Sequence, residues 1–273
     1  MTALLRPIAF VGVAYLIYIA GFLFFLPNII YPFTKTGQPP QTLERTEVRV
    51  LPATPFDPEI EVWITEPLPG RPVILYFMGF GGALWVHEDR IRSFVDAGFG
   101  VAAMSYRGGG GQPGLPREQH LLRDAFRLYD GLDAIFGRAI DPEDRIIYGF
   151  SLGSGLAVPL ARAREEMALV LEAPFDQMCR IIDARVPLLP ACGFMWTELY
   201  DNTRWIGGVG TTVYFLHGGN DAIVPLEHGA LLFRLASQPK FARIYDDGGH
   251  EDLNLFRADT HTIRFLDTLR GLP

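Results

Sequence analysis

Gly149-Phe150-Ser151-Leu152-Gly153 decides how the rest of the chain is read. The apolar run Arg145-Ile146-Ile147-Tyr148 leads into it, and a helix-like segment over residues 152–164 leads out. A G-x-S-x-G stretch between a buried strand and a helix reads as a nucleophile elbow. The turn is so tight that the serine is held in a strained backbone conformation and only small neighbours fit beside it. The glycines two positions either side let the helix pack close to the sheet. The serine hydroxyl then projects upward, and the next backbone N–H faces a reacting carbonyl. Five-residue patterns also recur by chance in unrelated chains, so the flanking strand, the flanking helix and two later segments have to carry the reading with it.

Working outward, the 273 residues are 49% apolar and 20% charged, enough for one substantial domain with its own core. A net charge of −7 argues against a nucleic-acid partner. Residues 8–26 form an uncharged run rich in Ile, Leu, Phe, Tyr and Val, close to the roughly 20 residues that cross a bilayer. Arg6 precedes it, Tyr15, Tyr18 and Tyr31 suit the interface, and Pro27 and Pro32 are expected to end the helix. A cleaved signal peptide would show a shorter apolar core and a small-x-small site. Here the run continues through Phe22-Leu23-Phe24-Phe25-Leu26 after the small pair Ala20-Gly21. An uncleaved single-pass anchor over residues 1–33 is therefore expected, in preference to a signal peptide or a buried soluble helix. Arg6 and the amino terminus oppose Lys35 and Arg45 across the span, so the default orientation, with the folded domain outside the cytoplasm, stands as the expectation.

Residues 34–42 carry Lys35, Gly37, Pro39 and Pro40 with little to bury, and read as a linker to a domain over residues 43–273. Val48 and Val50, then Ile60, Val62 and Ile64, alternate as in two half-exposed strands forming an antiparallel edge, joined by the Pro-rich residues 52–58. Apolar runs follow at 73–78, 101–104, 146–150, 168–171, 212–216 and 241–245. They alternate with amphipathic stretches, the pattern of a mostly parallel α/β sheet of about eight strands covered by helices on both faces. Leu121, Ala125, Leu128, Leu132 and Ile135 give one helix face over about residues 117–136, which is core. The glycine run 108–111 has no following lysine and is followed by Pro113, so it reads as a flexible loop and not a phosphate cradle.

This order of elements and motifs resembles the α/β-hydrolase superfamily over essentially all of the chain beyond residue 44. In that family a strand ends in a loop such as His217-Gly218-Gly219-Asn220-Asp221-Ala222-Ile223-Val224-Pro225. The aspartate there holds the catalytic histidine's Nδ1–H and fixes its tautomer. Asp221 is the expected acid. Asp176, past the preceding strand, is the rival position, and an ordinary Asn-Asp turn is the bland alternative. Asp247-Gly248-Gly249-His250-Glu251-Asp252-Leu253 is similar to the family's G-H-x-D-L loop, making His250 the general base and then the general acid. The chain order Ser151, Asp221, His250 is the one this fold uses. His87, His120, His217, His228 and His261 lack such context and read as structural or surface residues.

The resemblance also implies an oxyanion hole from the backbone N–H groups of Leu152 and Phe80, the latter in the glycine-rich loop Gly79-Phe80-Gly81-Gly82. The family usually begins that loop His-Gly. Met78 stands here instead, so the histidine's support is lost. Tyr106-Arg107-Gly108 matches the start of a loop found in small-lid members, including membrane-anchored acyl hydrolases; Arg107 is expected to hold the loop, with no catalytic role. Pro159 should kink or shorten the helix after the nucleophile.

Residues 176–210 lie where relatives insert a lid, and Met178, Ile181, Ile182, Val186, Leu188, Leu189, Phe194, Met195 and Trp196 make it apolar. That suits a hydrophobic acyl group, or packing of the insertion onto the domain. Cys179 and Cys192, both in this segment, are either a disulfide, if the domain lies outside the cytoplasm, or two buried thiols. The resemblance thus implies a membrane-anchored serine hydrolase acting on an ester or thioester of a hydrophobic, lipid-like acyl substrate, with no metal or organic cofactor. A serine peptidase of aminopeptidase type is the alternative within the class. A noncatalytic binding module of the same fold is the alternative outside it, although such proteins typically lose triad residues.

Overall fold

The computed structural model describes residues 2–186 and 188–271, with side chains from residue 8 onward, so the Arg6 side chain falls outside the described residues. Eight strands form one sheet among them: β1 (Thr46–Leu51), β2 (Ile60–Thr65), β3 (Val73–Phe77), β4 (Gly100–Met104), β5 (Arg145–Phe150), β6 (Ala168–Glu172), β7 (Thr212–Gly218) and β8 (Lys240–Tyr245). Their order is β1-β2-β4-β3-β5-β6-β7-β8. β1–β2 and β2–β4 are antiparallel and every later pair is parallel. The register sets Tyr76 beside Tyr148, Tyr148 beside Val170 and Val170 beside Tyr214, so apolar side chains run unbroken across the sheet.

β3 to β6 are buried along their whole length because helices cover both faces. The two outer regions depart from expectation. β2 is almost wholly buried, since it pairs with β4 as well as β1 and only β1 is the edge. β8, read from its apolar run as an interior strand, is the opposite edge, and Phe241 and Ile244 lie exposed there. An edge strand has a neighbour on one side only, and the apolar count alone does not reveal position in the sheet.

The first helix, α1 (Thr2–Ile30), runs through Pro27 instead of ending there; the Tyr31 N–H donates to the Pro27 carbonyl at 2.8 Å and continues the ladder past it. Proline inside a helix costs about 3 kcal/mol. Burial of Leu26, Ile30 and Tyr31 against the body offsets it. Among the described side chains of α1, Ile19, Phe22, Leu26 and Ile30 are buried, a stripe at steps of three and four, while Phe10, Leu16, Phe24 and Phe25 are exposed. The stretch Ile8–Ile30 is long and apolar enough to cross a membrane.

Residues 34–42 have no helix or strand, but they are stitched to the body. The Thr34 N–H donates to the Gly81 carbonyl at 3.1 Å, the Gly110 N–H to the Thr34 carbonyl at 2.6 Å, and Lys35 Nζ to the Gly108 carbonyl at 2.7 Å. The glycine run 108–111 is therefore docked against this segment, not free as expected. Glu88 opens α2 (Glu88–Asp96) and accepts from the backbone N–H of Gln41 and Thr42.

The helix expected over 117–136 is divided at Gly131 into α3 (Glu118–Asp130) and α4 (Leu132–Phe136). A side chain at 131 would crowd the Arg127 carbonyl, which the glycine avoids. After β5 a 3-10 turn, Ser151–Gly153, precedes α5 (Ser154–Ala163), which continues through Pro159. The lid carries α6 (Met178–Asp183) and α7 (Ala191–Phe194), and a disulfide joins Cys179 to Cys192. α8 (Leu226–Leu235) and α9 (Ala258–Leu269) complete the cover.

Candidate active site

The chain leaves β5 and turns at once into α5, and the residue at the turn, Ser151, has φ +50°. That left-handed value is uncommon for any residue with a side chain and is held only where the surroundings enforce it. A Cβ on Gly149 would lie 2.7 Å from the Ala157 Cβ, and one on Gly153 would collide with the Phe77 carbonyl. The two glycines are what lets helix and sheet approach closely enough to impose the turn.

His250 follows β8 and Asp221 follows β7, so both sit with Ser151 at the carboxyl ends of parallel strands. Their loops are bonded to each other: the Gly219 N–H donates to the Tyr245 carbonyl at 2.7 Å and the Asn220 N–H to the Gly248 carbonyl at 2.9 Å. The Gly249 N–H donates to Asp252 Oδ1 at 2.7 Å and closes the histidine loop.

The structure brings the three side chains into one buried chain of hydrogen bonds. Ser151 Oγ lies 2.9 Å from His250 Nε2, and His250 Nδ1 lies 2.7 Å from Asp221 Oδ2. With Nδ1 protonated, Nε2 is free to accept the serine proton. The other carboxylate oxygen of Asp221 accepts from the N–H groups of Ile223 at 2.8 Å and Val224 at 2.7 Å. Burial alone would raise the Asp221 pKa; the His250 hydrogen bond and charge and these two N–H groups outweigh it and hold the carboxyl below its ordinary value.

Asp176, the rival acid, is committed elsewhere: Oδ1 lies 2.7 Å from His228 Nδ1, and Oδ2 pairs with Arg180. His217 lies 3.6 Å from Asp221 but bonds the Val224 carbonyl at 2.8 Å, and burial lowers its pKa, keeping the ring neutral. Arg107 holds its loop as expected, donating to Asp124 at 2.7 Å and to Asp57 at 2.9 Å.

Phe80 and Leu152 line the same cavity as Ser151. At position 78, where the family usually has histidine, the Met78 carbonyl accepts from the Tyr106 hydroxyl at 2.8 Å. Phe33 lies against Gly82, whose φ is +69° and where a Cβ would collide with the Phe33 ring. Behind the loop His87 is fully buried, and burial, then the nearby Arg90 charge, lowers its pKa to about 3, so it stays neutral.

Arg90 is a supporting residue that motif reading misses. It pairs with the buried Glu172 at the end of β6, donates to the Glu251 carbonyl at 2.8 Å, and its guanidinium lies 4.0 Å from the centre of the Phe150 ring. One side chain therefore touches the residue before Ser151 and the residue after His250. The available signal was Glu172 itself, a carboxylate closing an otherwise apolar strand, which demands a cationic partner.

Met178, Ile181, Ile182 and Val186 from residues 176–210 and Ile223 and Val224 from the loop after β7 line the same cavity as Ser151. Ile29, Ile30 and Pro32, from the end of α1 and just beyond, line it as well, together with Phe175 and Arg185.

No protein-family model matches the chain. An uncharacterized protein of Mycobacterium tuberculosis is 32% identical over 185 residues, 67% of this chain and 64% of that protein. The lysophosphatidylserine lipase ABHD12 of Danio rerio is 30% identical over 191 residues, 62% of this chain and 48% of its own length. The match thus spans less than two thirds of either relative. Among solved structures, an alpha-beta hydrolase from Vibrio vulnificus superposes with a TM-score of 0.73 at 21% identity, covering 89% of this chain and 92% of that one. With an eight-stranded, mostly parallel sheet, a serine elbow after the fifth strand and these relatives, the chain belongs to the α/β-hydrolase superfamily, ABHD-type proteins being among its homologues.

Proposed function

We propose that this protein is a membrane-anchored serine hydrolase that cleaves an ester or thioester of a hydrophobic acyl substrate through an acyl-enzyme on Ser151. The observation that carries the reading is the continuous chain Ser151 Oγ–His250 Nε2 at 2.9 Å and His250 Nδ1–Asp221 Oδ2 at 2.7 Å. In the proposed reaction Ser151 Oγ attacks the carbonyl carbon as His250 Nε2 takes its proton, and Asp221 stabilises the imidazolium. The negative oxygen that develops is held by the N–H groups of Leu152 and Phe80. Collapse breaks the bond to the alcohol or thiol, which leaves with the proton from His250. A water then attacks the acyl carbon, His250 accepts its proton and returns it to Ser151, and the carboxylic acid departs.

Two features favour an acyl substrate of lipid character. The cavity beside Ser151 is lined mainly by apolar side chains, with Arg185 the one charged residue among those described, and the zebrafish relative is named a lysophosphatidylserine lipase. In this reading residues 1–33 anchor the chain, 34–42 connect, and 43–273 form the catalytic domain with its lid over 176–210. The Cys179–Cys192 disulfide supports a catalytic domain outside the cytoplasm, where such bonds persist.

The test uses the full chain in detergent micelles with a panel of p-nitrophenyl acyl esters, acyl thioesters and aminoacyl p-nitroanilides. Ester or thioester hydrolysis that Ser151→Ala abolishes is the expected result. Preference for the aminoacyl amides would replace the reading with an aminopeptidase. Absence of turnover on every substrate, with no labelling of Ser151 by a fluorophosphonate, would replace it with a noncatalytic module.

A further inference from the structure

The end of the apolar helix does more than arrive at the domain. Ile29, Ile30 and Pro32 line the cavity that contains Ser151 and the lid residues Met178 and Ile182. The cavity encloses about 150 Å³, against roughly 10–15 Å³ for one water, so it has room for part of an acyl chain.

This wall is fixed in position from both sides. The Tyr31 hydroxyl, between Ile30 and Pro32, bonds the buried Glu198 carboxylate and lies 2.6 Å from the Tyr200 hydroxyl, both just after the lid helices. On the other side Phe33 packs on Gly82, and the Thr34 N–H donates to the Gly81 carbonyl at 3.1 Å, which ties the wall to the loop carrying Phe80. Further along α1, the Tyr15 hydroxyl donates to the Leu188 carbonyl of the lid at 3.0 Å. A helix serving only as a tether would need none of these contacts with the rim of the nucleophile's cavity.

We propose that residues 29–32 are specificity-determining residues of the acyl site: Ile29, Ile30 and Pro32 contact the acyl chain and set the length that is accepted. The inference rests on the serine acyl-hydrolase reading. Ile29 is the position to test because it lines the cavity and, at 46% exposed, is less packed than Ile30, so its replacement disturbs the core less. In a hydrophobic pocket a change of one methylene discriminates roughly 10–200-fold, and an indole in place of the isoleucine side chain occupies more than that.

The experiment measures kcat/KM of the full chain in detergent micelles for acetyl, butyryl, octanoyl and decanoyl p-nitrophenyl esters, with Ile29→Trp and Ile29→Ala beside the wild type. The decanoyl-to-acetyl ratio is expected to fall at least about tenfold in Ile29→Trp and to rise in Ile29→Ala. Fluorophosphonate labelling of wild type and Ser151→Ala in the same samples separates the two levels of the argument. If Ser151 labels and the ratio stays within about twofold of wild type in both variants, the helix end is only a tether and the inference is overturned. If wild type and Ser151→Ala label equally, the hydrolase reading fails and takes this inference with it.

Discussion

Replacing Asp221 with asparagine offers a sharp perturbation because both carboxylate oxygens have separate work. Oδ1 accepts two backbone N–H groups, from Ile223 and Val224, while Oδ2 accepts the His250 Nδ1–H. An asparagine at 221 must turn its single carbonyl oxygen toward the two N–H donors, since the opposite flip would leave both unpaired in a buried position. Its NH2 group then faces His250 Nδ1. The imidazole responds by moving its proton to Nε2, the nitrogen 2.9 Å from Ser151 Oγ, and can no longer accept the serine proton. In the proposed mechanism the fold is left intact while His250, as general base, is held in the wrong tautomer. In serine hydrolases with this arrangement such a change lowers kcat by about 10⁴, which is roughly 5.4 kcal/mol at 1.36 kcal/mol per tenfold. Asp176→Asn should act differently, because Asp176 serves His228 and Arg180; it should lower stability more than it lowers kcat. The assay is kcat on a butyryl ester beside a thermal melt for each variant. An Asp221→Asn enzyme within about tenfold of wild type, together with an Asp176→Asn enzyme reduced about a thousandfold with its melt unchanged, would refute the assignment of the acid.

Three further outcomes follow from other groups in the fold. Arg90→Met leaves Glu172, whose side chain is 1% exposed, without its cation and should lower unfolding free energy by roughly 3–5 kcal/mol; a change under about 1 kcal/mol in urea titration would show the pair to be dispensable. Cys179 and Cys192 are 13 residues apart, and a loop near that length contributes about 3 kcal/mol. The Cys179→Ser, Cys192→Ser double variant should therefore melt roughly 5–10 °C lower than the oxidised wild type in a thermal scan. Glu166 is pushed up to about 8, first by burial and then by Glu165, and neither carboxyl oxygen has a hydrogen-bond partner among the described residues. The folded state keeps a proton there that the unfolded chain releases near its ordinary value, so Glu166 makes stability fall as pH rises between about 4.5 and 8. Glu166→Gln should raise the melting temperature more at pH 8 than at pH 5, and equal shifts at both would contradict the sign.

What is legible in the sequence is what neighbouring residues encode. The elbow needs small residues at fixed offsets from the serine. The Gly249-His250 and Asn220-Asp221 loops each carry their turn chemistry within a few positions, so Ser151, Asp221 and His250 could be named from local stretches. Strand runs at 73–78 and 146–150 likewise announced a sheet interior. Edge position was not encoded locally, and for that reason β8 looked like a core strand and β2 like an edge. Contacts between distant segments were equally out of reach: Arg90 meets Glu172 across 82 positions and Tyr31 meets Glu198 across 167. Residues 34–42 read as a linker because their partners, backbone groups of Gly81, Gly108 and Gly110 and the Glu88 carboxylate, lie 46 or more positions along the chain. Pro27 misled for a related reason. Its cost is local, but the burial of Leu26 and Ile30 that offsets it comes from packing against the folded domain.

The central claim is that Ser151 is a nucleophile activated by His250. The measurement that tests it most directly is reaction of the full chain with a fluorophosphonate, followed by proteolysis and mass spectrometry of the adduct. A single modified peptide carrying Ser151, lost in Ser151→Ala and slowed by orders of magnitude in His250→Ala, is the predicted result. No adduct on the folded wild type, or an adduct on another residue that persists in Ser151→Ala, would contradict the account.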